Sequence, residues 1–307
     1  MADKTRALAL AELTAAGQPF ELIPGSVFGR DCLRFKNAPA TLRTLFADAC
    51  SDAPFLVYGD ERLSFAETYA AAARVANVLV NDYNIKRGDR VAISMRNYPE
   101  WILSFMAVTA VGGIAVAMNA LWRPDEMAFG LSDSGAKVLI ADQERLDRFA
   151  DISPALDIKV IAVRPEATDH ANLADLVSAY AGVTEMPAQA PDPEDDATLM
   201  YTSGSTGNPK GVASCHINII SALMSWELDQ TTAIALMDEP PAEPENPPAT
   251  LLAVPLFHAT GSLAVYLASY RHQRKLVSMY KWDPVAAAAL IEEEKITGFI
   301  APAAMTG

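Results

Sequence analysis

Cysteine is scarce: Cys32, Cys50 and Cys215 are the three in 307 residues. Their number is odd and no pair is spaced as CxxC. That argues against a disulfide framework and a cysteine zinc site, and favours a reducing compartment, here the cytoplasm. Cys215 reads as a small buried thiol. Histidine is nearly as rare, with His170, His216, His258 and His272 at no metal-ligand spacing, so no metal-binding side chains are expected. Positive charge is also short: 24 Lys+Arg against 38 Asp+Glu leave a net charge of −14. A nucleic-acid or anionic-membrane binder needs a basic face, so neither partner is expected. The N-terminus, MADKTRALALAELTAAG, carries acidic residues and no apolar core long enough for a secretion signal. Trp101–Trp122 runs for 22 residues without a charge, but Ser104, Thr109, Gly112, Gly113 and Asn119 interrupt it. It divides into a helix ending at the glycine pair and a strand, Ile114–Met118. A buried helix–strand pair is expected rather than a transmembrane segment.

What is present is a chain of 51% apolar and 20% charged residues, a composition suited to a globular protein with a substantial core. Apolar runs of strand length alternate with helical periodicities from Phe55 to Val163. Arg90–Ser94, Ile114–Met118, Lys137–Ala141 and Ile158–Val163 read as strands. Leu42–Cys50, the segment after Ser64, Pro124–Ser134 and Gln143–Ala150 read as helices. Such alternation implies βαβ units and a parallel sheet, hence an α/β fold. Residues 1–38, with Pro19 and Pro24 and three glycines, read as an irregular arm, and 181–196 as a linker. A second α/β unit is expected to begin with the strand Ala197–Thr202, with a helix following from about Asn218 to Met237. Leu251–Val254, Lys275–Met279 and Thr297–Ala301 read as later strands. Asp283-Pro284 should start a helix to about Lys295. Glu292-Glu293-Glu294 reads as a solvated face.

One string stands out, Tyr201–Gly211, YTSGSTGNPKG. Gly204, Gly207 and Gly211 let the backbone turn and bring N–H groups near a ligand. Thr202, Ser203, Ser205 and Thr206 offer hydroxyls, and Lys210 supplies a mobile point charge, a mixture that suits an oligophosphate. The Walker pattern is absent, since Pro209 stands five residues after Gly204 where its second glycine would, and so is the dinucleotide pattern GxGxxG.

This string resembles the AMP-binding signature of the adenylate-forming superfamily. Pro255–Gly261, PLFHATG, is similar to an acyl-pocket motif of its fatty acyl-CoA synthetase branch. Lys281–Ala303, KWDPVAAAALIEEEKITGFIAPA, resembles that branch's pocket helix and strand. Weaker similarity runs from about Leu42 to the end. The resemblance implies two related sheet-and-helix subdomains of the large N-terminal domain: an arm over 1–40, a first subdomain over 41–190 and a second over 191–307. It implies an AMP-forming acid–thiol ligase (acyl-CoA synthetase) with ATP, Mg²⁺ and CoA as cofactors or co-substrates and a fatty or other apolar carboxylic acid as substrate; an aryl-acid ligase or other adenylation domain, and a non-catalytic nucleotide-binding scaffold, are the alternatives. Thr202, Ser203, Gly204, Ser205, Thr206, Gly207 and Lys210 would bind ATP. His258 would orient the acyl end, and Gly261 would allow close approach of helix and ligand. His216 is assigned a structural role at the start of a helix. The resemblance also allows a homo-oligomer. Ser205 replaces the threonine common in the family but keeps the hydroxyl. Family members continue past Gly307 with a ribose-binding Asp, a hinge and a small domain carrying the catalytic lysine. A fragment inactive by itself is therefore expected.

Overall fold

Helix starts follow the capping chemistry of the sequence. In the computed structural model, which describes residues 5–152, 156–202, 209–239, 241–242, 244–302 and 305, Thr5 caps α1 (Arg6–Leu13) and Thr41 caps α2 (Leu42–Asp48). Ser64 caps α3 (Phe65–Asn77), accepting from the Glu67 amide at 3.0 Å while the Glu67 carboxylate accepts from the Ser64 amide at 2.7 Å. A π-helical turn, Val78–Asp82, continues α3.

The N-terminal segment is ordered, contrary to the irregular arm expected from its prolines and glycines. After α1 come β1 (Leu22–Val27) and β2 (Arg30–Phe35), an antiparallel hairpin. Its turn residues Phe28 and Gly29 both have positive φ, 50° and 71°, the geometry that matches strand twist. Pro24 is tolerated because a two-stranded ribbon leaves one side of each strand unpaired.

The remaining strands form two sheets. Between the hairpin β3 (Pro54–Tyr58) and β4 (Glu61–Ser64) and residue 202 run β5 (Arg90–Ser94), α4 (Pro99–Ala110), β6 (Ile114–Ala117), α5 (Pro124–Ser134), β7 (Val138–Asp142), α6 (Gln143–Ala150), β8 (Lys159–Val163), β9 (Ala171–Asn172), α7 (Leu173–Ser178) and β10 (Asp196–Thr202). Then follow β11 (Lys210–Cys215), α8 (His216–Ala235), β12 (Ala249–Leu252), a π-helix Thr260–Leu267, α9 (Ala268–Arg271), β13 (Lys275–Ser278), α10 (Pro284–Glu293) and β14 (Gly298–Phe299). The larger sheet has the order β11-β10-β6-β5-β7-β8-β9, parallel except for the β10–β11 pair. The smaller has the order β14-β12-β13-β3-β4, parallel except for the β3–β4 hairpin.

Strand pairing therefore interleaves the chain. β10 does not begin a new unit: it pairs with β6, Thr198 opposite Ala115. The early hairpin β3–β4 instead completes the smaller sheet, Leu56 opposite Leu276. β11 was not foreseen, because KGVASC is an edge strand with an exposed surface and no apolar alternation.

The main core lies between the sheets. α4 fills it, with ten of its twelve residues buried, which explains the uncharged run around it. Trp101 stacks on Phe105, whose ring meets Tyr266 edge-on at 5.9 Å. Among the described residues no helix is long and apolar enough to cross a membrane.

Two polar ties also join the sheets. Arg164 reaches from the end of β8 to Glu61 of β4 at 2.8 Å and to Glu100 of α4 at 2.9 Å, lying over the Tyr58 ring. Buried Asn97, after β5, donates from Nδ2 to the Val254 carbonyl at 3.0 Å and accepts at Oδ1 from the Leu256 amide at 2.9 Å.

Glu294 corrects the expected solvated face. Glu292 and Glu293 are exposed, but Glu294 is buried, accepting from Lys275 Nζ at 2.8 Å and from an Arg62 nitrogen at 2.6 Å. The Lys275 hydrogen bond holds its carboxyl below the usual range.

Candidate functional site

The C-terminal ends of parallel strands leave loops at one edge of an open α/β sheet, and ligands settle there. Here that edge opens into a cleft of about 440 Å³ between the two sheets. One wall comes from the larger sheet: Ala117 and Asn119 after β6, then Leu121 and Trp122, with Glu126 of α5 and Tyr201, Thr202 and Pro209 beside them. Phe257 and His258, after β12, form the facing wall.

Thr202 and Lys210 end the two strands that carry the glycine-rich string. They stand opposite each other in the β10–β11 register, with Thr202 Oγ1 donating to the Lys210 carbonyl at 3.5 Å. Lys210 is exposed. Ser203, Gly204, Ser205, Thr206 and Gly207 lie outside the described residues.

His258 follows a tight turn. Its amide donates to the Pro255 carbonyl at 3.1 Å, and its own carbonyl accepts from the amide and hydroxyl of Ser262 at 2.9 and 3.0 Å. These bonds start the π-helix, a form frequent at functional sites. The His258 side chain is exposed toward the cleft mouth, beside the Phe257 ring at 6.3 Å. Gly261 makes a close approach possible. The nearest approach it permits is to the protein's own backbone: an added Cβ would stand 2.1 Å from the Pro255 carbonyl oxygen and 3.1 Å from Leu256 Cα. It lets the turn and helix close on each other.

Sequence reading missed the residues that hold the first wall. Trp122 is nearly buried and meets the Tyr201 ring edge-on at 5.4 Å. Its ring lies against Gly130 in the middle of α5, where a Cβ would come within 2.5 Å of Trp122 Cζ3. Tyr201 is fixed in turn by donating to Asp133 at 2.7 Å. The loop backbone is clamped from α6. Arg145 Nε donates to the Ala120 carbonyl at 3.0 Å, and Arg148 Nη1 to the carbonyls of Ala120 and Trp122 at 2.9 and 2.8 Å. Arg145 is 1% exposed and pairs with buried Asp142 at 3.1 Å. Burial raises the Asp142 carboxyl. The only signal in sequence is the pair of arginines three residues apart in one short helix, a pattern that reads equally as a solvated face.

The residues set aside as structural behave as such in the geometry. Cys215 is buried with a free thiol. His216 opens α8, fully buried, with Nδ1 accepting from the Leu42 amide at 3.2 Å. Burial lowers its pKa to about 4. Trp282 stacks on Phe299 at 5.6 Å. Among the described residues no three His, Cys, Asp or Glu side chains converge to hold a metal ion.

Residues 45–306 match the AMP-binding enzyme family. A long-chain-fatty-acid–CoA ligase of Mycobacterium tuberculosis, FadD13, is 32% identical over 244 residues, which cover 77% of this chain and 44% of that protein. A feruloyl-CoA synthase of an Amycolatopsis species is 30% identical over 241 residues, 78% of this chain and 43% of that one. The inhibitor-bound N-terminal domain of FACL13 from Mycobacterium tuberculosis superposes with a TM-score of 0.72 at 26% identity, covering 87% of this chain and 64% of that one. The chain thus spans less than half the length of these curated relatives.

Proposed function

Because this chain belongs to the AMP-binding enzyme family, we propose that it is an N-terminal part of an AMP-forming acyl-CoA synthetase, an acid–thiol ligase. One observation carries the reading: Thr202 and Pro209, on either side of the hydroxyl-rich string, line the same cleft as His258. A phosphate-binding segment and an acid-binding turn in one cleft suit the joining of a carboxylate to a nucleotide.

A carboxylate is a poor electrophile until one oxygen is esterified by a good leaving group. In the proposed reaction a carboxylate oxygen attacks the α-phosphorus of ATP, the bond to the β-phosphate oxygen breaks, and pyrophosphate leaves. The sulfur of CoA then attacks the acyl carbon and AMP departs. Placement and charge stabilisation dominate such a step. The hydroxyls of Thr202, Ser203, Ser205 and Thr206, the amides around Gly204 and Gly207, and the Lys210 cation would hold the β- and γ-phosphates. Bound Mg²⁺ would neutralise phosphate charge. His258 would orient the carboxylate, while Trp122 and Phe257 exclude water. Gly261 acts indirectly, by permitting the turn that presents His258.

Fatty or other apolar acids are the proposed substrates. Aryl acids are the second reading, favoured by the aromatic wall of Trp122, Tyr201 and Phe257 and by the likeness to a feruloyl-CoA synthase. The free thiols of Cys32, Cys50 and Cys215 suit the cytoplasm.

Calorimetric titration with Mg·ATP tests the reading, with Lys210→Ala beside the unaltered chain. Binding that weakens about tenfold or more in the variant is expected, the scale of one charge-assisted contact. Equal binding by both would remove Lys210 from the site. A panel of fatty and aryl acids, titrated after the nucleotide, then separates the two substrate classes.

A further inference from the structure

The two walls of the cleft come from different sheets, so something must set the distance between them. Residues 96 and 97 sit between the walls. Toward the first wall, the Arg96 amide donates to Asp142 Oδ2 at 3.2 Å, Asp142 pairs with Arg145, and Arg145 holds the Ala120 carbonyl. Toward the second, the Asn97 amide brackets Pro255, binding the carbonyl before it and the amide after it. The Asn97 carbonyl accepts from the Ser278 hydroxyl at 2.7 Å, which anchors the bracket to β13.

This bracket is chemically particular. Pro255 has no N–H, so the chain cannot extend β12 through it by ordinary pairing. A neutral primary amide supplies one donor and one acceptor in a plane, and both are needed here. Asn97 is 4% exposed, so neither Val254 nor Leu256 has water as a substitute partner at that side chain. The bracketed peptide leads at once into the Pro255–His258 turn.

We infer that Asn97 is a positioning residue, setting the gap across which His258 faces the Asn119–Trp122 loop. The consequence for ligand binding rests on the function proposed above; the geometric part does not.

Hydrogen exchange on Asn97→Asp and Asn97→Ala tests the geometric part. The carboxylate of Asn97→Asp would face the Val254 carbonyl with no proton to donate. At neutral pH the amides of Leu256, His258 and Ser262 should exchange about tenfold faster or more in both variants, the scale of a buried bond lost, while those of β7 and β8 hold. On acidification the introduced carboxyl gains an O–H that can donate to Val254. Slow exchange, corrected for its intrinsic pH dependence, should return in Asn97→Asp and not in Asn97→Ala. Unchanged exchange over 256–262 would overturn the inference. So would a uniform loss across the chain, which would make Asn97 a general stabiliser.

The ligand part is read with 5′-O-(N-benzoylsulfamoyl)adenosine as probe. Asn97→Asp should bind it about tenfold or more weakly at neutral pH, and adding His258→Ala should weaken it little further. Equal affinity in the variant and the unaltered chain would overturn the positioning role. An unaltered chain that does not take up the probe would count against the proposed function and leave the exchange result standing.

Discussion

A side-chain carbon on Gly261 would lie 2.1 Å from the carbonyl oxygen of Pro255, closer than any two such atoms can stand. Neither partner can retreat easily, because Asn97 grips the peptide on both sides of Pro255. Gly261→Ala should therefore destabilise the chain by about 1–3 kcal/mol through overpacking. Thermal melting gives the magnitude, and a melting temperature equal to that of the unaltered chain would show that the turn can relax.

Gly130 allows a prediction of sign. An exposed glycine inside a helix normally gains about 0.5–1 kcal/mol when changed to alanine. Here the new Cβ would meet the Trp122 ring at 2.5 Å. Gly130→Ala should lower stability and shift the near-ultraviolet circular dichroism of the displaced indole. Combining it with Trp122→Ala should restore the ordinary helical gain.

The clamp on the cleft loop contains a buried ion pair. Arg145→Met strands the Asp142 carboxylate, and breaking such a pair costs about 3–5 kcal/mol. Asp142→Asn added to Arg145→Met should recover part of that loss. Arg148→Ala, at a half-buried site, should cost less, about 1 kcal/mol. Denaturant titration of the four chains distinguishes these sizes.

His216 gives the fold a pH dependence. Its pKa falls from 6.5 to about 4 because burial disfavours the imidazolium. Between those values the unfolded chain binds the proton and the folded chain does not. Stability contributed by this residue is therefore present above pH 6.5 and falls with the pH, by about 3 kcal/mol in all once pH 4 is passed. His216→Asn keeps an acceptor for the Leu42 amide and cannot charge, so its unfolding free energy should be flatter across that window. Urea titrations from pH 4 to 7 provide the comparison.

Legibility from sequence differed by element for physical reasons. Arg90–Ser94, Pro124–Ser134 and Gln143–Ala150 have the expected bounds because apolar period and capping residues agree there. The strand Lys210–Cys215 and the hairpin before residue 36 were hidden, since both are exposed and lack the apolar alternation that marks a half-buried strand. The ends of the glycine-rich string stood out through local residue chemistry, and His258 only through the resemblance of its PLFHATG segment to a family motif. Asn97, Trp122 and Arg145 did not, because their significance depends on partners such as Val254, Gly130 and Ala120 that only tertiary structure brings near.

The interleaving of the two sheets has a consequence for synthesis on the ribosome. The hairpin of residues 54–64 emerges early, yet its parallel partner is residues 275–278. Until that partner arrives, the apolar edge of Phe55 to Val57 has no mate in its sheet, and such edges invite association between nascent chains. Pairings so distant in sequence also slow folding, because a long loop must close before its contacts form. Cutting the chain between residues 181 and 195 and producing the pieces separately would divide both sheets, so the two pieces should fold only when they are made together.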